Sequence, residues 1–321
     1  MAKFALIGNP IAHSKSPALF KAAYPGSHHT YTLLEAPTCR EAMERFTQEG
    51  YSGCNVTSPF KDEVMQYVSL PDKISSTIGS ANTIICKEGK LYSYNTDYYG
   101  VKETLADFLR NTGHSFKGST PTSPVVGAGG AGKAAALVVG AGGAGKAAAL
   151  AVGTGGAGKA AALAVGAEGA GKAAALVVGA GGAGKAAALV IGAGGAGKAA
   201  ALAVRDMGME VFLANRSSDA TAPYAAKIGA EYIPLEKIPL VLPQTGIIIY
   251  NLSMEIPQLK NADLAGKVVF EANYAHPNLA SSNASCYISG RYWLYNQAIP
   301  AYRLFTSEEP CACAMRQVIG L

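Results

Sequence analysis

The sequence predicts an α/β protein of two domains: an N-terminal α/β domain, then a doubly wound domain built on a parallel sheet. Three observations carry that expectation. Strand-like apolar runs alternate with segments of helical spacing on both sides of the chain's middle, the pattern of sheets joined by crossover helices. The 321 residues suffice for roughly two domains of the usual ~100–200 residues. Residues 125–202 are six tandem copies of a 13-residue unit, Val-Val-Gly-Ala-Gly-Gly-Ala-Gly-Lys-Ala-Ala-Ala-Leu in its commonest form. Five copies, 65 residues, are therefore supernumerary, and the 256 that remain are the size of an ordinary two-domain chain.

The array also accounts for the charge. Of a formal +5, the six copies contribute six Lys and one Glu, and the rest balances at 21 basic and 21 acidic residues. No basic face for nucleic acid is indicated. The array holds 23 of the 38 glycines, so the glycine richness is local too. The six cysteines (39, 54, 86, 286, 311 and 313) form no CxxC pair and have no matching histidine cluster, so no metal site is expected. A lysine returns every thirteenth residue of the array, which denies it an uninterrupted apolar span of membrane length. The opening Met-Ala-Lys-Phe-Ala-Leu-Ile-Gly-Asn-Pro reads as a strand and turn rather than a secretory signal. A soluble cytoplasmic protein is expected, without nucleic-acid or membrane partners.

Taken in order, Phe4–Ile7 reads as a buried strand closed by Gly8-Asn9-Pro10, and Ser16–Ala23 as a helix with Pro17 near its start. Tyr31–Leu34 is a second strand and Arg40–Glu49 a helix, with apolar Ala42, Met43 and Phe46. Gly53–Val56 is a third strand, Lys61–Val68 a helix, and Ala81–Cys86 with Leu91–Tyr94 a hairpin. A helix over Val101–Asn111 and a Ser/Thr/Pro linker lead into the array. Beyond it, strands are expected at Met209–Ala214, Glu231–Pro234, Gly246–Tyr250 and Lys267–Glu271, and a helix at Ala222–Ile228. Helical patterns near Trp293–Phe305 and Cys313–Ile319 close the chain.

Five of the six units contain Gly-x-Gly-x-x-Gly; copy four has Glu168 in place of the second glycine. A strand, a tight glycine turn and a helix together let backbone N–H groups meet a pyrophosphate at the positive helix end. Alone the motif is weak, since a Gly/Ala repeat generates it by composition. Copy six has the right context: Ala186–Ile191 precedes it, Lys198–Met207 reads as a helix capped by Gly208, and Val211–Asn215 is the next strand. Copy one follows Thr120–Pro124, a poor central strand. Gly192, Gly194, Gly195 and Gly197 are therefore expected to meet the pyrophosphate. Copies one to five become an insertion whose helical turns reach about eight residues at most, too short to be stable alone. The second strand ends in Asn215-Arg216-Ser217, where an Arg accommodates the 2′-phosphate of NADP(H). The unit nearly reads as a P-loop, but the residue after the lysine is Ala in every copy, where magnesium binding needs Ser or Thr.

Four further segments carry a resemblance. Asn9-Pro10-Ile11-Ala12-His13-Ser14-Lys15-Ser16-Pro17, Asn55-Val56-Thr57-Ser58-Pro59-Phe60-Lys61, Ser80-Ala81-Asn82-Thr83-Ile84 and Asn95-Thr96-Asp97-Tyr98-Tyr99-Gly100 resemble, in order, the motifs of shikimate dehydrogenases. Gly290 through Leu294 to Gln297 and Ala298 is similar to their C-terminal motif, with Trp293 in place of Met. The resemblance implies a substrate domain and an NADP-binding Rossmann domain around a cleft. In these terms residues 1–103 form the substrate domain, with 290–321 packing back on it. Residues 104–124 are a helix and linker, 125–189 the extra copies as an insertion or disordered, and 190–289 the NADP domain.

The implied reaction is reversible reduction of 3-dehydroshikimate to shikimate by NADPH, in a monomer or homodimer. Hydride delivery to a ketone needs a general acid, which the resemblance makes Lys61, expected at a helix start and paired with Asp97. It also implies that Ser14 and Ser16 hold the substrate carboxylate. Thr57, Asn82, Asp97 and Gln297 would meet the ring hydroxyls, with Tyr274 beside them. Asn215, Arg216, Ser217 and Gly290 would join the glycines at the cofactor. His13 is expected to be a turn or packing residue. Two departures stand out: Ala220 and Thr221 replace the family's basic residue past Asn215-Arg216, and Asn251-Leu252-Ser253-Met254 is an irregular form of its loop over the cofactor. An NAD-dependent quinate/shikimate dehydrogenase and an inactive, self-associating repeat protein stay open as alternatives.

Overall fold

A computed structural model describes residues 2–112 and 186–321, apart from Pro25 and Ser27, together with three short strands in the intervening stretch. By internal contact the chain divides into two compact units, one of Met1–Leu105, Gly192–Ala203 and Ser289–Leu321, the other of Ala106–Ile191 and Val204–Ile288.

The first unit is built on β1 (Lys3–Gly8), α1 (Ser16–Ala23), β2 (Thr30–Glu35), α2 (Cys39–Gln48), β3 (Gly53–Val56), β4 (Leu70–Pro71), α3 (Lys73–Ile78), β5 (Thr83–Lys87), β6 (Lys90–Tyr94) and the start of α4 (Thr96–Thr112). Its sheet runs β2-β1-β3-β5-β6-β4. β1 is parallel to β2 and β3, whereas β5 joins β3 antiparallel and makes the expected hairpin with β6. Thr38 caps α2 by accepting from the Glu41 N–H at 3.2 Å. Cys39, Ala42, Met43 and Phe46 form the helix's buried stripe, at the i, i+3, i+4, i+7 spacing of an amphipathic helix. That stripe packs with Ile7, Leu34, Val56 and Ile84. A second cluster joins Phe4, Leu19 and Phe20 to Tyr295, Ala298, Ala301, Tyr302 and Met315 of the C-terminal helices.

Three local expectations need correction here. Lys61–Val68 is not an α-helix; Lys61 lies in a turn, followed by a 3-10 helix over Glu63–Tyr67. Only Val64 of those five residues is buried, so the stripe that anchors an α-helix is missing. α4 starts at Thr96 rather than Val101, which puts Asp97 in its first turn, where the helix dipole favours an acid. β4 and α3 were not anticipated; Asp72 caps α3 by accepting from the Ser75 N–H at 2.7 Å.

In the array's described parts, β7 (Val138–Val139), β8 (Ala148–Val152) and β9 (Ala161–Val165) form a small sheet in the order β7-β9-β8. These residues are extended, contrary to the expected helical turns; apart from them and Ala186–Leu189, copies one to five lie outside the described residues. The reason is spacing. In those copies Lys-Ala-Ala-Ala-Leu is followed by two residues and then glycine, too short a run for a stable helix.

The second unit holds β10 (Ala187–Ile191), β11 (Glu210–Asn215), α6 (Thr221–Ile228), β12 (Glu231–Pro234), the short α7 (Ile238–Val241), β13 (Thr245–Tyr250), the short α8 (Pro257–Lys260), β14 (Val268–Glu271) and β15 (Cys286–Ser289), while α5 (Gly195–Asp206), which joins β10 to β11, lies in the first unit as far as Ala203. α9 (Gly290–Thr306) and α10 (Ala312–Ile319) end the chain in the first unit. The sheet order is β12-β11-β10-β13-β14-β15, the Rossmann arrangement with its strand order reversing between β10 and β13. β10, wholly buried, is parallel to both neighbours. It is built from the last three residues of copy five and the first two of copy six. α5 begins at Gly195, three residues before the expected Lys198.

Candidate active site

In the first unit, the turn after β3 and the first turn of α4 bring Lys61 and Asp97 together. Lys61 Nζ donates to Asp97 Oδ2 at 2.6 Å, with side-chain exposures of 16% and 8%. Asp97 Oδ1 accepts from the Trp293 indole N–H at 3.1 Å. Around the pair, Asn82 Oδ1 accepts from the Thr96 backbone N–H at 2.7 Å and from the Thr96 hydroxyl at 3.1 Å. Gln297 Oε1 accepts from Thr96 Oγ1 at 3.1 Å and from Asn82 Nδ2 at 3.4 Å. Asn82 and Gln297 are thus tied to the start of α4, each with donor capacity left over. Thr57 is half-buried, its backbone N–H on the Ile7 carbonyl at 2.8 Å.

Ser14 and Ser16 sit at the entry to α1, where Ser14 Oγ accepts from the Ser16 N–H at 3.2 Å. The Ser14 hydroxyl hydrogen remains free to be donated. Ser16 is buried against Tyr31, whose hydroxyl burial holds well above its ordinary pKa and which donates to Asn55 Oδ1 at 2.9 Å. His13 is exposed.

The copy-six turn follows. Gly192 has φ +93°, a left-handed conformation that glycine adopts at little cost. A Cβ on Gly194 would meet nothing within 4 Å, whereas one on Gly195 would lie 2.3 Å from Ser80 Oγ and 3.0 Å from Lys61 Cβ. Gly195 and Gly197 lie in the first turn of α5. Lys198 Nζ donates to Asp62 Oδ2 at 2.8 Å, tying α5 to the residue after Lys61. Gly290, also placed here by sequence, is the buried first residue of α9.

The second unit carries the remaining expected residues at the carboxyl ends of its strands. Asn215 Nδ2 donates to Thr221 Oγ1 at 2.8 Å, bracing the connection from β11 to α6, while Arg216 and Ser217 are exposed. Tyr274 is in the loop after β14, in a different unit from Lys61 and Asp97. That loop is fastened by Glu271, a fully buried carboxylate that sequence reading had treated only as a strand end. It accepts from the Asn278 and Leu279 backbone N–H groups at 2.6 and 3.0 Å, from Asn278 Nδ2 at 2.9 Å and from the Tyr287 hydroxyl at 3.1 Å.

Asn251 was also underread. Its backbone N–H donates to the Ile191 carbonyl at 2.9 Å, which places it at the strand-order reversal. Both polar atoms of its side chain are buried without a protein partner. Burial pushes the neighbouring Tyr250 hydroxyl up to about 12, and it donates to the Met254 carbonyl, closing the 251–254 turn. The glycine turn, open at Gly194 on a helix N-terminus, fits a pyrophosphate. Among the described residues no cluster of three or more His, Cys, Asp or Glu could hold a metal ion. No helix among them is long and apolar enough to cross a membrane.

The described chain thus combines a Rossmann sheet in one unit with a buried lysine–carboxylate pair in the other. Residues 6–84 match the family model of the shikimate dehydrogenase substrate binding domain, and residues 161–272 that of shikimate / quinate 5-dehydrogenase. The chain belongs to the shikimate dehydrogenase family. Two curated relatives named shikimate dehydrogenase (NADP(+)), from Halothermothrix orenii and Natronomonas pharaonis, are 36% identical over 137 residues and 41% identical over 138. Each match takes in 41% of this chain and 46% or 48% of the relative, so the chain spans about half the length of these relatives. A solved shikimate dehydrogenase of Aquifex aeolicus superposes with a TM-score of 0.70 at 22% identity, over 99% of this chain and 97% of that one. A quinate dehydrogenase of Corynebacterium glutamicum in complex with NAD gives 0.67 at 18%, over 100% and 99%. These structural likenesses concern the fold.

Proposed function

We propose that the protein is an NADP(H)-dependent shikimate dehydrogenase that reduces 3-dehydroshikimate reversibly to shikimate. The observation that carries this reading is the buried Lys61–Asp97 pair at 2.6 Å. Bound NADPH supplies the hydride that reaches the ketone carbon. Lys61 Nζ gives a proton to the ketone oxygen as negative charge develops there, and in the oxidative direction takes it back from the hydroxyl. One ammonium hydrogen is engaged by Asp97 Oδ2, which leaves two for the substrate. The spare donors of Asn82 and Gln297, the Thr57 hydroxyl and the Tyr274 phenol would meet ring hydroxyls. Ser14 and Ser16 would hold the carboxylate.

The cofactor's pyrophosphate would meet the turn of Gly192, Gly194, Gly195 and Gly197. Arg216, with Asn215 and Ser217, would take the 2′-phosphate, and Gly290 would lie against the nicotinamide end. Six free cysteines support a reducing, cytoplasmic setting. A second reading, quinate or shikimate oxidation with NAD, draws on one observation: the five residues after Arg216 bring Asp219 and no cation. The test is steady-state turnover of the purified chain with shikimate or quinate and either nucleotide. Turnover of shikimate that prefers NADP⁺ supports the first reading. Preference for NAD supports the second, and no turnover with any combination overturns both.

A further inference from the structure

We propose that Trp293 is a positioning residue for the Lys61–Asp97 pair, its indole N–H fixing the carboxylate so that the lysine is aimed at the substrate oxygen. The inference rests on the dehydrogenase reading for its consequence, but on geometry for its substance. Asp97 presents one oxygen to each partner: Oδ2 to Lys61 at 2.6 Å and Oδ1 to Trp293 Nε1 at 3.1 Å. With both oxygens held from different directions, the carboxylate cannot rotate about its Cβ–Cγ bond without breaking a hydrogen bond.

The indole is not there by accident of packing. Trp293 is only 4% exposed, and the ring lies against bare backbone at Gly100, three residues after Asp97 on α4. A Cβ on Gly100 would lie 2.9 Å from Trp293 Cδ1 and 3.1 Å from the Trp293 carbonyl oxygen. Four residues further along α9, Gln297 binds Thr96, so the same face of α9 grips the first turn of α4 twice. An indole N–H is a donor only and carries no charge. It therefore neither takes the proton nor competes with Lys61 for ion pairing, and its part is orientation alone. A phenyl ring at this position would leave Oδ1 without the indole donor and the carboxylate held only through Oδ2.

The chain contains one tryptophan, hence one indole resonance in the proton–nitrogen correlation spectrum of the labelled protein. Asp97→Ala should move that resonance by removing its acceptor. Asp97→Asn, which keeps a neutral oxygen, should move it less and serves if the alanine variant does not fold. An indole resonance indifferent to a folded variant of Asp97 would overturn the contact. In turnover, Trp293→Phe should lower kcat by about tenfold, the loss of one hydrogen bond to a charged group, with KM for shikimate within about twofold. A lowered melting temperature with unchanged kcat would make Trp293 merely structural and overturn the proposal. A wild-type chain without turnover would instead remove the dehydrogenase reading, and the indole spectrum would still decide the contact.

Discussion

Lys61 and Asp97 stand 36 positions apart and meet at 2.6 Å. Replacing Lys61 with Ala should cut turnover by about 10²–10⁴-fold, the range expected for a general acid. NADPH affinity, measured by titration, should change less than about threefold, because the amine serves proton transfer. Turnover retained within a few-fold would exclude Lys61 from the chemistry. Both residues were legible in sequence because they lie inside short, ordered motifs. Their supports were not. That Trp293 reaches Asp97 depends on two helices meeting at Gly100, and that Asn251 is left unpaired depends on where β13 ends beside β10. Glu271 looked like any strand-end acid until the fold delivered four donors to it. Such roles arise from contacts distant in sequence, which motif spacing does not record.

At the scale of elements, Ala-Ala-Leu opens β10 in copy five yet lies inside α5 in copy six. The difference lies downstream. After the copy-six lysine the chain runs nine residues to Met207 without glycine, whereas every earlier copy meets glycine after six, so only copy six has the length to propagate a helix. Sequence placed the Rossmann strand correctly but began the helix at Lys198, because glycine's low helix propensity hid a first turn that starts at Gly195. Adjacent glycines should then respond oppositely to a methyl group. Gly194→Ala should leave the melting temperature unchanged, since its Cβ meets open space. Gly195→Ala should cost about 1–3 kcal/mol as overpacking against Ser80 and Lys61, read by denaturant unfolding. Equal stability of the two variants would show that α5 does not approach Ser80 as described. For the cofactor, Gly194→Glu should abolish NADPH binding by repelling phosphate, while Gly129→Glu in copy one should leave it intact. The reverse pattern would assign the working turn to copy one.

For the whole molecule, the array dominates composition and charge but supplies the second sheet with one strand and the helix after it. A chain lacking residues 121–185 keeps Ala186–Asp206 and so all of β10 and α5. It should retain turnover within about threefold and unfold cooperatively, as a two-domain chain whose connection ahead of β10 has been shortened at small entropic gain. Loss of NADPH binding on that deletion would mean that earlier copies are part of the cofactor site. The two-domain architecture was legible because hydrophobic alternation survives on either side of the array. The extended structure within copies two to four was not, since a Gly/Ala repeat carries no periodicity that separates strand from helix. The most direct measurement uses NADPH carrying deuterium at the transferable position of the nicotinamide, incubated with 3-dehydroshikimate and the intact chain. Hydride transfer to the ketone carbon should give shikimate that bears the label on that carbon. Unlabelled shikimate, or no shikimate at all, would contradict the assigned chemistry.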